Sequence, residues 1–392
     1  MAPKVDTFAP RYAIEVAGQL IDMNVRQYVT RVEYESVDGI ADMGKVTCLN
    51  PMDIIANSRV FQPGNEMSLF MGYGLDAALA HIGRVHIVKQ TPSYPENGPR
   101  TLTVTGYTLD TKMMDNSPEK SKGGKVGKGK KKKQAEGRRY KDSKYSDAVR
   151  TKAKEYGMLE DINRSPDEPR NFMQKVGMSD YEFVIGLANE LGWLFWVDGD
   201  EFGNWTLHFR DPLTIAEQDK KYTFKYDMGD QSSLLSFRPE LLIRGGKTKI
   251  KAVFKDVLTG KVTEVEQEED NDKAPEMSAE GDPVAEVDGP YTSASDVKLY
   301  FGDYSFDVST NKTFRNEAEA KAWITQWFRR ERENFVLCSG TTIGVEDLMA
   351  RQTHAVEGIA KSYVGDYYFS KVRHVMNNSG YKCTMNGRRL VP

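Results

Sequence analysis

Hydrophobic and polar positions alternate with period two through the first part of the chain. Val46 and Cys48 fall on one side of a run, with Lys45 and Thr47 on the other. Met67, Leu69 and Met71 repeat the pattern, as do Val85 with Ile87 and Leu102 with Val104. Pro63-Gly64-Asn65, Gly72-Tyr73-Gly74 and Glu96-Asn97-Gly98 punctuate the runs. Side chains of a strand point alternately to opposite faces, so each run can bury one face. Several short strands between turn signals predict a small antiparallel β-barrel or sandwich over residues 1–115.

The period changes over 143–215. Ser146 to Tyr156 reads as a short helix stopped by Gly157. Ser179 and Glu182 form a capping box, in which each side chain satisfies the other's free backbone amide. Behind it Phe183, Leu187, Ala188 and Leu191 share one helical face, and Gly192 supplies a left-handed C-terminal cap. Trp193 to Val197 and Trp205 to Phe209 then form a hairpin across Asp198-Gly199-Asp200. This block is predicted to be a small α/β module.

Strand patterns return over 216–392, at Ser232 to Gly245 and Thr248 to Leu258. An amphipathic helix is predicted over 316–333, carrying Trp323, Ile324, Trp327 and Phe328 at the spacing of a face laid on a core. Arg329, Arg330 and Arg332 suit its C-terminal end. Final strands run from Asp366 to His374 and from Gly380 to Met385. This block echoes the first: a turn, a strand, then a second strand at Gly83 to Val88 or Phe369 to Val375, closing on Gly106 or Gly387. The order and spacing predict two similar barrels flanking the α/β module.

Composition then divides the chain further. Within 116–142, between Lys120 and Lys141, nine Lys and Arg residues from Lys122 to Arg139 face a lone Glu136, while over 262–292 acidic residues from Glu264 to Asp288 dominate. Both stretches are too poor in apolar residues to fold alone, and are expected to be a basic linker and an acidic loop. At 39% apolar and 28% charged overall, the chain is ordinary globular material. The N-terminus shows no signal-peptide pattern, and the longest apolar runs, such as Trp193 to Val197, fall far short of the roughly 20 residues of a membrane span. Cys48, Cys338 and Cys383, odd in number and far apart, read as small apolar core residues of a reducing compartment.

Candidate chemistry is thin. Gly124 to Lys131 matches a phosphate-binding loop for six positions, but Lys131 stands where a magnesium-holding Ser or Thr is needed, and neither a strand nor a helix flanks it. Asp198, Asp200 and Asn204 hint at a calcium loop, yet Phe202 and Phe209 occupy ligand positions. The five histidines lack metal-ligand spacing, and the paired carboxylates cluster in the charged stretches, where no acid/base site could be held. No catalytic residue, cofactor or metal is expected. Lys130, Lys131, Lys132, Lys133, Arg138 and Arg139 form an electrostatic contact candidate for an acidic partner or for nucleic acid, which charge density alone attracts.

Ser179-Asp180-Tyr181-Glu182-Phe183-Val184, with Leu187 to Trp193 and the hairpin that follows, resembles a stretch of phage late control D proteins. These are tail hub proteins, also represented in the T4 baseplate hub and the N-terminal part of type VI secretion spike proteins. Leu235 to Glu240, Ala318 to Phe335, Tyr367 to His374 and Phe61 to Tyr73 are similar to later and earlier segments of the family. The resemblance implies two tudor-like antiparallel barrels around the α/β insert and a homotrimeric ring of pseudo-sixfold symmetry. Such a ring would join a hexameric tail tube to a trimeric spike on a separate polypeptide, with wedge or tape measure protein and transient DNA as further partners, in a virion assembled in the host cytoplasm. Phe61, Met67, Leu69, Met71, Tyr73, Phe369, Val372 and His374 are the candidate interface residues.

Overall fold

The computed structural model describes residues 10–74, 79–118, 137–212, 215, 222–227, 229, 232–242, 249–255, 262–268, 305–309, 317, 320–321, 323–325 and 334–390. Lobe one holds β1 (Pro10–Val16), β2 (Gln19–Leu20), β3 (Val29–Val37), β4 (Met43–Leu49), β5 (Glu66–Tyr73), β6 (Ala80–Ser93) and β7 (Thr101–Tyr107), with short helices α1 (Met23–Arg26) and α2 (Ile54–Asn57) between strands. The predicted alternation is realised: Val46, Cys48, Met67, Leu69, Met71, Val85, Ile87, Leu102 and Val104 are all buried.

The insert comprises α3 (Asp110–Asp115), β8 (Arg138–Ser143), α4 (Tyr145–Glu155), β9 (Leu159–Ile162), β10 (Arg170–Gln174), α5 (Asp180–Leu191), β11 (Leu194–Gly199) and β12 (Trp205–Arg210). Its separate core centres on Val149, Val184, Leu207 and Phe209, with Phe172 and Phe183 each stacked on Tyr140 at a centroid spacing of 5.2 Å. The capping box forms as read, with Glu182 N donating to Ser179 Oγ at 3.1 Å and Ser179 N to Glu182 Oε2 at 2.8 Å. Gly192 takes φ 71° at the C-terminal cap. Two boundaries move. Leu109 and Met113 belong to the insert core, and β8 lies inside the stretch expected to be linker, because Tyr140 has an aromatic stack to enter.

Lobe two holds β13 (Thr223–Lys225), β14 (Leu234–Leu241), β18 (Val336–Ile343), β19 (Gln352–Glu357), β20 (Gly365–Asn377) and β21 (Gly380–Arg389). Between β14 and β18 the chain forms a small sheet of β15 (Lys249–Lys255), β16 (Val262–Glu268) and β17 (Ser305–Ser309), ordered β16-β15-β17. Residues 262–268, expected as the start of the acidic loop, are therefore a strand: Val265 is buried between Glu264 and Glu266, a period-two pattern hidden by the charge count. The remainder of that loop, residues 269–292, lies outside the described residues. Within the predicted helix 316–333, positions 317, 320, 321, 323, 324 and 325 are helical, and Ala320 and Ile324 are buried.

The chain is mainly β, as expected, and the two lobes that flank the insert are continuous with each other. They form one 13-stranded sheet, joined where β3 pairs antiparallel with β20, and share one hydrophobic core from Ile14 through Val46 to Phe369 and Met385. Five strands in each lobe repeat a single pattern. Taken in chain order, they pair as first-second-fifth-fourth-third: β3-β4-β7-β6-β5 and β14-β18-β21-β20-β19. The register irregularities repeat too. β3–β4 shifts between Val29 and Arg31, and β14–β18 between Leu234 and Ser236. β6–β7 shifts between Ile87 and Lys89, and β20–β21 between Phe369 and Lys371. The outermost strand breaks the likeness: β1 is antiparallel to β5, whereas β13 runs parallel to β19, so lobe two is not wholly antiparallel.

Bulges bend a strand and increase its twist. At the second bulge of each lobe the facing residue is a glycine, Gly106 against Ile87 and Gly387 against Phe369. A Cβ on Gly106 would lie 2.7 Å from His86 O, and one on Gly387 2.3 Å from Tyr368 O. Gly387→Ala is therefore expected to destabilise the chain by about 1–3 kcal/mol through overpacking. Gly186→Ala, in α5 with nothing within 4 Å of its added methyl, is expected to stabilise by up to about 1 kcal/mol. Urea unfolding of the two variants checks both signs.

Candidate assembly surface

The joint between the lobes runs from Lys371 opposite Val37 to Asn377 opposite Arg31. Its ladder is flanked by charge pairs. Lys371 Nζ lies 2.9 Å from Glu35 Oε1, Arg31 Nη2 donates to Glu33 Oε1 at 2.6 Å, and Arg373 donates to the same oxygen. Glu33 is buried, so its partners offset a desolvation cost that water would otherwise have met.

Arg351 ties the joint to the insert. Its backbone N donates to Phe369 O at 2.7 Å, and its φ of 68° turns the side chain into the gap between the parts. There Nη2 donates to Val37 O at 2.6 Å and to Asp42 Oδ1 at 2.8 Å, with Nε 3.4 Å from Asp38 Oδ1. The guanidinium lies over the Trp196 ring of the insert, 5.0 Å from its centroid. Burial raises the Asp38 carboxyl above its ordinary range, and Arg351 opposes that shift. Tyr181 of α5 adds a bond to Gly39 O at 2.8 Å. A fixed cation thus holds two lobes and the insert at one point. A second buried cation, Lys152, lies 2.6 Å from Asp180 Oδ1 at the start of α5, and Tyr156 and Gln174 also donate to that carboxylate.

The side chains expected at an interface lie elsewhere. Phe61, Met67, Leu69, Met71, Phe369, Val372 and His374 are all fully buried in this chain's own core. Alternation identifies a buried face without saying what covers it, and here the opposite lobe wall does. Tyr73 is partly buried and donates to Gly344 O at 3.1 Å, crossing between the lobes. His374 Nε2 donates to Leu348 O at 2.6 Å, so Nδ1, 2.7 Å from Tyr381 Oη, accepts, and the ring is neutral. Burial lowers its pKa to about 4.

Of the electrostatic candidates, Lys130, Lys131, Lys132 and Lys133 lie outside the described residues, as does the Gly124 to Lys131 motif. Arg138 is fixed on the insert, paired with Glu155 and lying over the Tyr140 ring; Arg139 is exposed on the same strand. Asp200 serves its turn, accepting from Phe202 N and Asn204 N. Burial pushes the Cys48, Cys338 and Cys383 thiols up to about 12. Among the described residues no group of three His, Cys, Asp or Glu could hold a metal, and no helix is long and apolar enough to cross a membrane.

Some of the exposed apolar side chains lie at two strand edges. Val88 and Tyr94 flank the outer half of β6, and Leu235, Leu241 and Leu242 lie along β14. Among the described residues β14 has no strand beyond it, and β6 from Lys89 to Ser93 has a partner only in β7. A cleft of about 410 Å³ opens where Asp38 and Arg388 of the lobes face Trp193 and Phe195 of the insert. Neither edge was marked by alternation, which detects faces and is blind to which backbone groups go unpaired.

Arg351→Met is expected to lower stability by about 3–5 kcal/mol, because Asp42 is left buried without its cation, and Arg351→Met with Asp42→Asn is expected to cost less than the sum of the two single changes. Equilibrium unfolding of the four proteins measures the coupling. For His374 the folded pKa lies below the unfolded value near 6.5, so its contribution is full above that pH and is lost as pH falls toward 4. The stability lost between pH 7 and pH 5 should therefore shrink by about 2 kcal/mol in His374→Gln. Equal losses in both proteins would contradict the assignment of a neutral ring.

No family model matches the chain, and no curated protein matches it. Solved structures do. A tail protein from Neisseria meningitidis MC58 aligns at TM-score 0.62 and 11% identity, covering 97% of each chain. A 43 kDa tail protein of prophage MuSo2 from Shewanella oneidensis aligns at TM-score 0.66 and 12% identity, over 97% of this chain and 98% of that one. An E. coli component of the type VI secretion system, described as similar to the T4 tail proteins gp27 and gp5, aligns at 0.53 and 10%, over 96% of this chain and 76% of that one. Over nearly its whole length, the chain has the fold of these tail proteins.

Proposed function

We propose that the chain is a structural hub of a phage tail or related injection machine, of the late control D type, acting by docking without an enzymatic step. The observation that carries this reading is the repeat of one five-strand pattern on both sides of the β3–β20 joint, in a chain with a tail-protein fold. A chain carrying two like lobes presents two like surfaces. Three such chains in a closed ring present six, which matches a hexameric tail tube on one side while retaining threefold symmetry for a spike on the other. The ring would line the channel through which tape measure protein and DNA pass. Its partners would be itself, the tail tube, a spike and the neighbouring wedge proteins, and its place the virion tail, after assembly in the host cytoplasm.

Light scattering of the intact chain, followed by particle averaging, tests this. The expected result is a species of about three times the 44.3 kDa chain mass, with a central channel ringed by six similar lobes. A chain that remains monomeric, alone and with tail tube and spike proteins, would overturn it.

A further inference from the structure

Among the described residues the repeat has four strand edges of two kinds, and one of each kind is paired within the chain. In register terms β14 is lobe two's counterpart of β3, since Val29 and Leu234 both precede the first bulge. Likewise β6 is the counterpart of β20, with Ile87 matching Phe369 and Lys89 matching Lys371 across the second bulge. The edge of β3 meets the edge of β20 inside the molecule. The edges of β14 and of the outer half of β6 face outward. We propose that β14 of one copy lies along the outer half of β6 of a second copy, reproducing between chains the joint that β3 and β20 make within one. This inference rests on the ring reading above and names the surface that closes the ring.

Registers transfer directly. Lys371 opposite Val37 becomes Lys89 opposite Leu242, and Val372 opposite Ser36 becomes Gln90 opposite Leu241. Arg373 opposite Glu35 becomes Thr91 opposite Glu240, and Met376 opposite Val32 becomes Tyr94 opposite Phe237. Two observations independent of the repeat agree with this assignment. The Lys371–Glu35 ion pair of the internal joint has its charges conserved at the matching positions, Lys89 and Glu240, on the two free edges. The exposed apolar residues sit at the same places. Tyr94 is 56% exposed where Met376 in the joint is 3%, and Leu241 is 37% exposed where Ser36 is 1%. Side chains that water touches on both edges would thus be covered together, as they are at the internal joint.

Two prolines limit the backbone bonding of this seam. Asp38 N donates to Ser370 O, so Ser370, Val372, His374 and Met376 aim their backbone groups across the joint, and their matches on β6 include Gln90 and Pro92. Leu242 N donates to Phe335 O, so Leu241 and Pro239 of β14 aim theirs outward. Pro92 and Pro239 therefore fall opposite each other, each lacking the N–H that the ladder would use. Proline on an edge discourages indiscriminate strand pairing. A seam broken at that pair relies on side chains and charge more than on backbone bonds, which suits a contact that must form with one partner in one register.

Cysteine cross-linking of the full chain tests the register. Arg373 and Glu35 form a non-hydrogen-bonded pair, a position whose Cα spacing of about 4.5 Å admits a disulfide. Thr91→Cys with Glu240→Cys is expected to convert most of the chain, on mild oxidation, to a covalent species of three chains on a non-reducing gel. An equal mixture of the two single variants should give no covalent species beyond a dimer. Thr91→Cys with Arg238→Cys, two residues out of register, should cross-link at least tenfold less. Lys89→Glu should weaken assembly, and Lys89→Glu with Glu240→Lys should restore it. A trimer by mass whose Thr91–Glu240 pair does not cross-link would overturn the seam and leave the ring reading standing. A protein that stays monomeric would overturn both.

Discussion

Everything in this chain is arranged around the buried guanidinium of Arg351. It reaches Val37 and Asp42 of lobe one from lobe two and stacks on Trp196 of the insert, while its own backbone nitrogen is bonded to Phe369. A buried charge is costly unless paired and hydrogen-bonded, so this group can be satisfied only when all three parts are in place. The cost of a single isolated part is thereby converted into a preference for one mutual arrangement. The β3–β20 ladder fixes the same arrangement by register, and the two constraints meet at Asp38, whose N donates to Ser370 O and whose carboxylate faces Arg351.

With the lobes held in one sheet, their likeness becomes a geometric property of the whole chain. Bulges at matching positions bend β6 and β20 at the point where each strand changes neighbour, from β5 to an open edge in one lobe and from β19 to β3 in the other. Glycines at 106 and 387 admit the close backbone approach that those bends require. One lobe thus has its bent strand covered and its first strand free; the other has the reverse. A head-to-tail surface of that kind closes into a ring or grows into a filament according to the rotation it imposes.

Local signals were read well where the physics is local. The capping box at Ser179, the left-handed Gly192 and the hairpin around Asp200 depend on residues within a few positions of each other. The burial of Val46, Met67 and Leu102 follows from alternation alone. Reading failed where charge count concealed a pattern, as at Val265 between two glutamates, and where a polar group's partner is remote. Asp42 and Arg351 are separated by 309 positions, and nothing in either segment announces the other. The buried aromatic and aliphatic side chains offered as contacts with neighbours were real burial signals assigned to the wrong cover.

By itself the sequence determined the fold class, the three-part order of lobe, insert and lobe, and the faint repeat closing on Gly106 and Gly387, because periodicity and turn chemistry act over short range. Only the tertiary structure decided that the lobes share one sheet and core, that Arg351 locks them to the insert, and that β14 and the outer half of β6 are left as edges. Strand pairing joins residues far apart in the chain through backbone groups that every residue carries, so side-chain pattern holds no record of which edges meet.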